Sequence, residues 1–131
     1  MLVLLCRHAH AAPSDPDAAR ELSPAGREQA DALGRRLAAR NEIPVLVLSS
    51  PLVRARQTAE AIAAATGAPL RIEERLAPGA TAAALVAALA GESGPVATVG
   101  HQPDCSEIAV ALTGKDPGFP VAGMAEIELT L

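Results

Sequence analysis

The first six residues, Met1-Leu2-Val3-Leu4-Leu5-Cys6, are apolar without alternation and give way at once to Arg7-His8-Ala9-His10. A continuous Leu/Val run of this length suits a strand buried on both faces of a parallel sheet. A second such run spans residues 43–48, with Pro44 tolerable at its start, a short third spans 69–72, and a fourth spans 95–99 and ends at Gly100-His101. Helical periodicity fills the intervals. Ser23-Pro24 reads as an N-cap followed by proline at the first helical position, opening a helix to about residue 39. Its apolar stripe is Ala30, Leu33, Leu37 and Ala38, and its wet side is Arg27, Glu28, Asp31, Arg35 and Arg36. Ser49-Ser50-Pro51-Leu52 is expected to cap a second helix, which runs through Ala59, Ile62 and Ala63 to Gly67. Thr81 is expected to cap a third, carrying Leu85, Val86 and Leu89, and a fourth covers 103–113 with Gly114 as its stop. Residues 125–131 alternate Ile127, Leu129 and Leu131 with Glu126, Glu128 and Thr130, the pattern of a half-exposed edge strand whose acids discourage further pairing. Alternation of strand and helix predicts a three-layer α/β/α sandwich with a mostly parallel sheet and a C-terminal edge strand.

Composition narrows this picture. With 131 residues, half of them hydrophobic, the chain is expected to form one domain spanning 1–131. One Phe and no Trp or Tyr leave no stacking platform for single-stranded nucleic acid, and a net charge of −4 argues against a nucleic-acid partner altogether. No stretch is apolar for long enough to span a membrane, no secretory leader is recognisable, and two cysteines, Cys6 and Cys105, read as reduced core thiols. The expectation is a cytoplasmic monomer with no membrane partner.

Candidate chemistry sits where the strands end. In open α/β sheets ligands bind outside the carboxyl ends of the strands. The first strand delivers Arg7 and His8 there, the fourth delivers His101, and Arg54 lies in the first turn of the helix after the second strand. If the four converge, two guanidiniums offer planar forks of donors to phosphoryl oxygens and two imidazoles can act as nucleophile, acid or donor. Such a pocket fits phosphoryl transfer in which one histidine carries the phosphate covalently and water then releases it.

These residues resemble a known family. Arg7-His8, the block Ser50-Pro51-Leu52-Val53-Arg54-Ala55-Arg56-Gln57-Thr58-Ala59 and Gly100-His101 match, in order, the three signatures of the histidine phosphatase (phosphoglycerate mutase-like) superfamily. The small size, Leu22-Ser23-Pro24-Ala25-Gly26, Gly100-His101-Gln102-Pro103-Asp104 and the closing strand are most similar to the compact SixA-type phosphohistidine phosphatases. The resemblance implies His8 as the phosphorylated nucleophile, Arg7 and Arg54 as phosphate clamps and His101 as the second imidazole, with no metal and no other cofactor. Two positions depart from the family pattern. Ala9 stands where Gly is usual, a mild change provided the backbone there does not need positive φ. Pro78 stands two residues beyond Leu76, where many members place a glutamate general acid. An alcohol leaving group needs a proton, whereas phosphohistidine can leave as neutral imidazole, so the departure favours phosphohistidine in a protein as substrate. Glu73 or Glu74 remains a substitute acid, with a small phosphate ester as the alternative substrate.

Blander readings apply to the remaining polar residues. His10 either rims the pocket or does nothing, Arg56 is surface, Gln102 and Asp104 start a helix, and Asp15, Asp17 and Arg20 are ordinary loop charges. A metal hydrolase built on His8-x-His10 with His101 is a weak alternative, since no convergent carboxylates are evident. A binding module for phosphorylated protein is the non-enzymatic one, and the complete His8, His101, Arg7 and Arg54 set speaks against it.

Overall fold

The computed structural model describes residues 1–130. Its elements in chain order are β1 (Leu2–Arg7), a 3-10 turn (Asp17–Ala19), α1 (Pro24–Ala38), β2 (Leu46–Ser49), α2 (Val53–Thr66), β3 (Leu70–Ile72), a 3-10 turn (Glu74–Leu76), α3 (Ala82–Ala88), β4 (Val96–Gly100), α4 (Asp104–Thr113) and β5 (Met124–Glu128). The five strands form one sheet in the order β3-β2-β4-β1-β5. All pairings are parallel except β1 with β5, which is antiparallel and puts β5 at an edge.

The apolar runs explain the layering. Successive strand side chains point to opposite faces, so Val3, Leu5, Leu46, Leu48 and Val96 join Leu85, Leu89, Cys105 and Ile108 in one core. Leu4, Cys6, Val47, Ala97 and Val99 join Ala30, Leu33, Leu37, Ala55, Ala59 and Ile62 in a second core. Helices α3 and α4 thus cover one face and α1 and α2 the other, which is why the strands carry no polar alternation.

Capping follows the sequence closely in α1 and α3, where Ser23 Oγ accepts from Gly26 N (3.0 Å) and Thr81 Oγ1 from Ala84 N (3.1 Å). Gly67 and Gly114 close α2 and α4 in the left-handed conformation. Gly26 is needed for a different reason. It lies against the His10 backbone, and a Cβ there would overlap the His10 carbonyl oxygen, which is itself held by the Ser23 N–H at 3.0 Å.

Three expectations require correction. β2 begins at Leu46, where its register with β4 starts at Val96; just upstream the Val45 N–H still donates to the Pro95 carbonyl (2.9 Å), but Ile43 and Val45 are 40% and 56% exposed. Ser49 and Ser50 do not cap α2. Ser49 is the last residue of β2, Leu52 occupies the cap position without a side-chain bond, and both serines are fully buried. The C-terminal strand spans Met124–Glu128 and not 125–131; Leu129 continues beside Met1 through its N–H to the Met1 carbonyl (2.8 Å) and its carbonyl, which accepts from the Met1 ammonium (2.7 Å), and Leu131 lies outside the described residues.

Candidate active site

Strand order and register build the site. Because β4 lies between β1 and β2, Arg7 pairs with Gly100 and Ser49 with Val99, and the three carboxyl ends stop level with one another. The next residue of each strand then emerges at the same rim: His8, whose N–H donates to the Gly100 carbonyl (3.1 Å), His101, and Ser50, whose N–H donates to the Val99 carbonyl (3.0 Å). The imidazoles of His8 and His101 meet with centroids 5.2 Å apart and planes tilted by 57°.

Each ring is oriented by its neighbours. His8 Nδ1 lies 2.7 Å from the Ala9 carbonyl oxygen, which can only accept, so Nδ1 carries the proton and Nε2 keeps its lone pair. Ala9 is buried and holds the backbone through its N–H to Thr58 Oγ1 (3.0 Å), while Thr58 donates to the Arg54 carbonyl (2.9 Å). Among the described residues only Ala122 among non-glycines has positive φ, so alanine replaces the family's usual glycine at position 9 without strain. His101, 4% exposed, has Nε2 at 2.7 Å from Ser50 Oγ. Ser50 Oγ also accepts the Leu52 N–H (3.3 Å), and when its hydroxyl donates to Nε2 the ring proton of His101 sits on Nδ1.

The charges around the rings are all positive except one. Burial pushes His8 down to about 4, with Arg54 and Arg7 acting in the same direction against the Ala9 hydrogen bond. Burial likewise pushes His101 down to about 4, aided by His8 and Arg54 and opposed by Asp17. Both rings are therefore neutral at physiological pH. Arg7 donates from one terminal nitrogen to the Phe119 carbonyl (3.0 Å), and Arg54, 7% exposed, donates to Asp17. Arg7 Nε, Arg54 Nε and His101 Nδ1 are buried without any partner. Buried donors normally find acceptors, and three orphans on residues grouped at one sheet edge mark a site that an anion completes.

Other residues flagged by the sequence have different surroundings. His10 is exposed, with its Nδ1 on Ser23 Oγ (2.7 Å) at the start of α1. Arg56 is exposed on α2, and Gln102 caps α4 by accepting the Ser106 N–H (2.9 Å). Asp104 does more than start that helix: buried, it accepts from Gly79 N (2.9 Å) and Ala80 N (3.2 Å) and so pins the loop that carries Pro78. Glu73 is buried, but Arg75 engages both its oxygens at 2.9 Å, and this contact holds its carboxyl below the usual range. It is an ionised group with nothing to donate. Glu74 is exposed. Among the described residues no group of three or more His, Cys, Asp or Glu side chains is arranged to hold a metal ion.

Sequence reasoning missed Asp17, Arg20 and Ser50. Asp17 and Arg20 are not ordinary loop charges, since Asp17 bonds Arg54 and Arg20 bonds Asp17 as well as the Ala11 and Ala12 carbonyls. No local signal marks them, because the contact that ties them to the site, from Arg54 to Asp17, spans 37 residues. Ser50 was detectable only as a polar residue directly beyond a buried strand.

This arrangement of two neutral imidazoles, two guanidiniums and an α/β/α frame is that of a phosphoryl-transfer enzyme. The chain belongs to the histidine phosphatase superfamily (branch 1), whose profile its residues 3–78 match, and by that membership it is a phosphatase. Its fold is similar to that of a candidate phosphohistidine phosphatase SixA from Agrobacterium tumefaciens, at 32% identity and TM-score 0.83 over 95% of this chain and 89% of that one. It is also similar to the protein histidine phosphatase SixA in complex with tungstate, at 25% identity and TM-score 0.88 over 98% of this chain and 88% of that one. A mycobacterial glucosyl-3-phosphoglycerate phosphatase bound to VO3 shares the fold at 23% identity and TM-score 0.74, covering 95% of this chain and 90% of that one. No curated protein sequence matches the chain.

Proposed function

We propose that this phosphatase is metal-independent, turns over through a phospho-His8 intermediate and acts on phosphohistidine carried by a protein. The observation that carries the reading is the His8 ring: Nδ1 is anchored on the Ala9 carbonyl, so Nε2 is an unprotonated nucleophile on a residue that shares its strand-end rim with His101, beside the buried, unpartnered nitrogens of Arg7, Arg54 and His101. In the first step Nε2 attacks phosphorus in line and the bond from phosphorus to the substrate imidazole breaks. The substrate ring, protonated on its other nitrogen, departs as neutral imidazole. His8 becomes a phosphoimidazolium whose Nδ1–H stays on Ala9. Water then attacks phosphorus, the Nε2–P bond breaks, and the water proton leaves with inorganic phosphate. Arg7, Arg54 and His101 Nδ1 stabilise the oxygens in both steps.

Substrate class follows from what the site lacks. Pro78 carries no proton, and Glu73 is kept ionised by Arg75, so a labile phosphoramidate suits the pocket better than an ester. The test compares phosphate release from a phosphohistidine protein with release from a panel of sugar and alkyl phosphates, with and without chelator. Phosphohistidine is expected to be strongly preferred and chelator to have no effect; preference for esters overturns the substrate, and loss of activity in chelator overturns metal independence. Cys6 and Cys105 are free, buried thiols in separate cores, with Cys105 pushed up to about 12 chiefly by burial, and among the described residues no helix is long and apolar enough to cross a membrane. These features fit a cytoplasmic enzyme.

Rate and stability should respond to acid over different pH windows. With His8 at about 4, kcat/KM is expected to stay level from neutral pH to about 5 and to fall as pH drops through about 4, not near the ordinary histidine value of 6.5. Both histidines bind protons more weakly folded than unfolded, so the unfolded chain takes them up first. Stability is therefore full above about pH 7 and lost as pH falls from 6.5 toward 4. Thermal melts and kcat/KM across pH 4–8 check both, and an acid limb centred near 6.5 would contradict the neutral nucleophile.

A further inference from the structure

We infer that Asp17 is a positioning residue for phosphoryl transfer, holding the terminal nitrogens of Arg54 so that the Nε side of that guanidinium is kept for the phosphoryl oxygens of the substrate. The inference rests on the phosphatase reading of the site. Arg54 donates from one terminal nitrogen to the Asp17 backbone carbonyl (3.0 Å) and from the other to the Asp17 carboxylate (3.2 Å). A guanidinium presents two usable edges, the end formed by its terminal nitrogens and the side formed by Nε with one of them. Asp17 takes the end edge through two different acceptors, and Nε on the side edge is buried with no partner.

Asp17 is itself fixed. Arg20 donates to its other carboxylate oxygen (3.3 Å), and the remaining nitrogens of Arg20 donate to the Ala11 and Ala12 carbonyls at 3.1 Å. The loop after β1 therefore carries a relay of contacts from its own backbone through Arg20 and Asp17 to Arg54. Arg54 is only 7% exposed, and a guanidinium so enclosed needs acceptors supplied by the protein itself. Asp17 is the only carboxylate in salt-bridge contact with it among the described residues.

Two other roles fit less well. Arg20 and then Arg54 hold the Asp17 carboxyl below its ordinary range, so it carries no proton to give a leaving group. A competitor for the phosphoryl group would occupy the edge that the substrate uses, and could withdraw when substrate arrives. One of the two acceptors here is a backbone carbonyl within the Asp17–Ala19 turn, which cannot withdraw without undoing that turn.

The experiment measures tungstate binding by calorimetry and steady-state kinetics on a phosphohistidine protein for the wild-type chain, Asp17→Ala and Asp17→Asn. Asp17→Ala removes one acceptor and is expected to weaken tungstate binding and raise KM about fivefold, with kcat changed less than twofold. Asp17→Asn keeps an oxygen acceptor in place and is expected to restore both to within about twofold of wild type. Asp17→Asn should melt close to wild type, and Asp17→Ala, which leaves a terminal nitrogen of the enclosed Arg54 without its acceptor, should melt somewhat lower while staying folded at the assay temperature. Unchanged or tighter tungstate binding by Asp17→Ala overturns the inference, as does Asp17→Asn behaving like the alanine variant. Wild-type protein that binds no tungstate overturns the phosphatase reading and this inference with it.

Discussion

His8→Ala is expected to abolish turnover, by at least about 10⁴-fold, and to eliminate covalent labelling by radioactive phosphoryl donor, because no second group at the site can accept the phosphoryl group in line. His101 is the only other imidazole beside it, and its Nε2 is engaged by Ser50 Oγ at 2.7 Å while its Nδ1 is buried. His8 lies on the strand end and its backbone is fixed on both sides, by its N–H to Gly100 and by the Ala122 N–H to its carbonyl (3.1 Å), so truncation of the ring should leave the fold in place. Acid-labile, base-stable labelling of the wild-type chain that vanishes in His8→Ala identifies the phosphoramidate. Labelling that persists in the variant, or a rate near wild type, would mean that the nucleophile lies elsewhere.

Arg54→Ala is expected to lower kcat/KM by about 10² to 10³, the usual cost of removing one preorganised charge donor from a water-poor site. Arg54 is the arginine most enclosed by the protein, and it acts on both histidines, helping to hold each below its ordinary pKa. Arg54→Lys should recover little, since a point charge cannot reproduce a guanidinium that contacts Asp17 with one edge and keeps the other for the anion. Arg56→Ala, two residues away and exposed, is the matched control and should stay within about twofold of wild type. Equal losses at the two positions would reduce the role of Arg54 to general positive charge.

Much of the fold was legible because the strands are buried on both faces and the helices on one. The runs at residues 1–6 and 95–99 read as buried strands, and Ser23 and Thr81 cap α1 and α3 through bonds that span three residues, so that local sequence specifies them. Legibility failed where a partner was remote. Ile43 and Val45 have the composition of a strand, yet the β2–β4 register starts only at Leu46 and Val96 and both residues are exposed. Ser50 has the composition of a cap but serves His101, 51 residues away, and Asp104 holds a loop 25 residues earlier. Asp17 and Arg20 look like solvated charges in a turn-rich loop, and only the return of that loop over α2 joins them to Arg54.

By itself the sequence determined which groups stand at strand ends: an apolar run that stops at Arg7-His8 or Gly100-His101 leaves the polar residues no place in the core and expels them at its carboxyl end. Only the tertiary structure decided that these ends are neighbours. The insertion of β4 between β1 and β2 is a matter of long-range pairing, specified by register and by the packing of two helix pairs on opposite faces. That insertion sets His8 5.2 Å from His101 and turns three separate strand ends into one pocket.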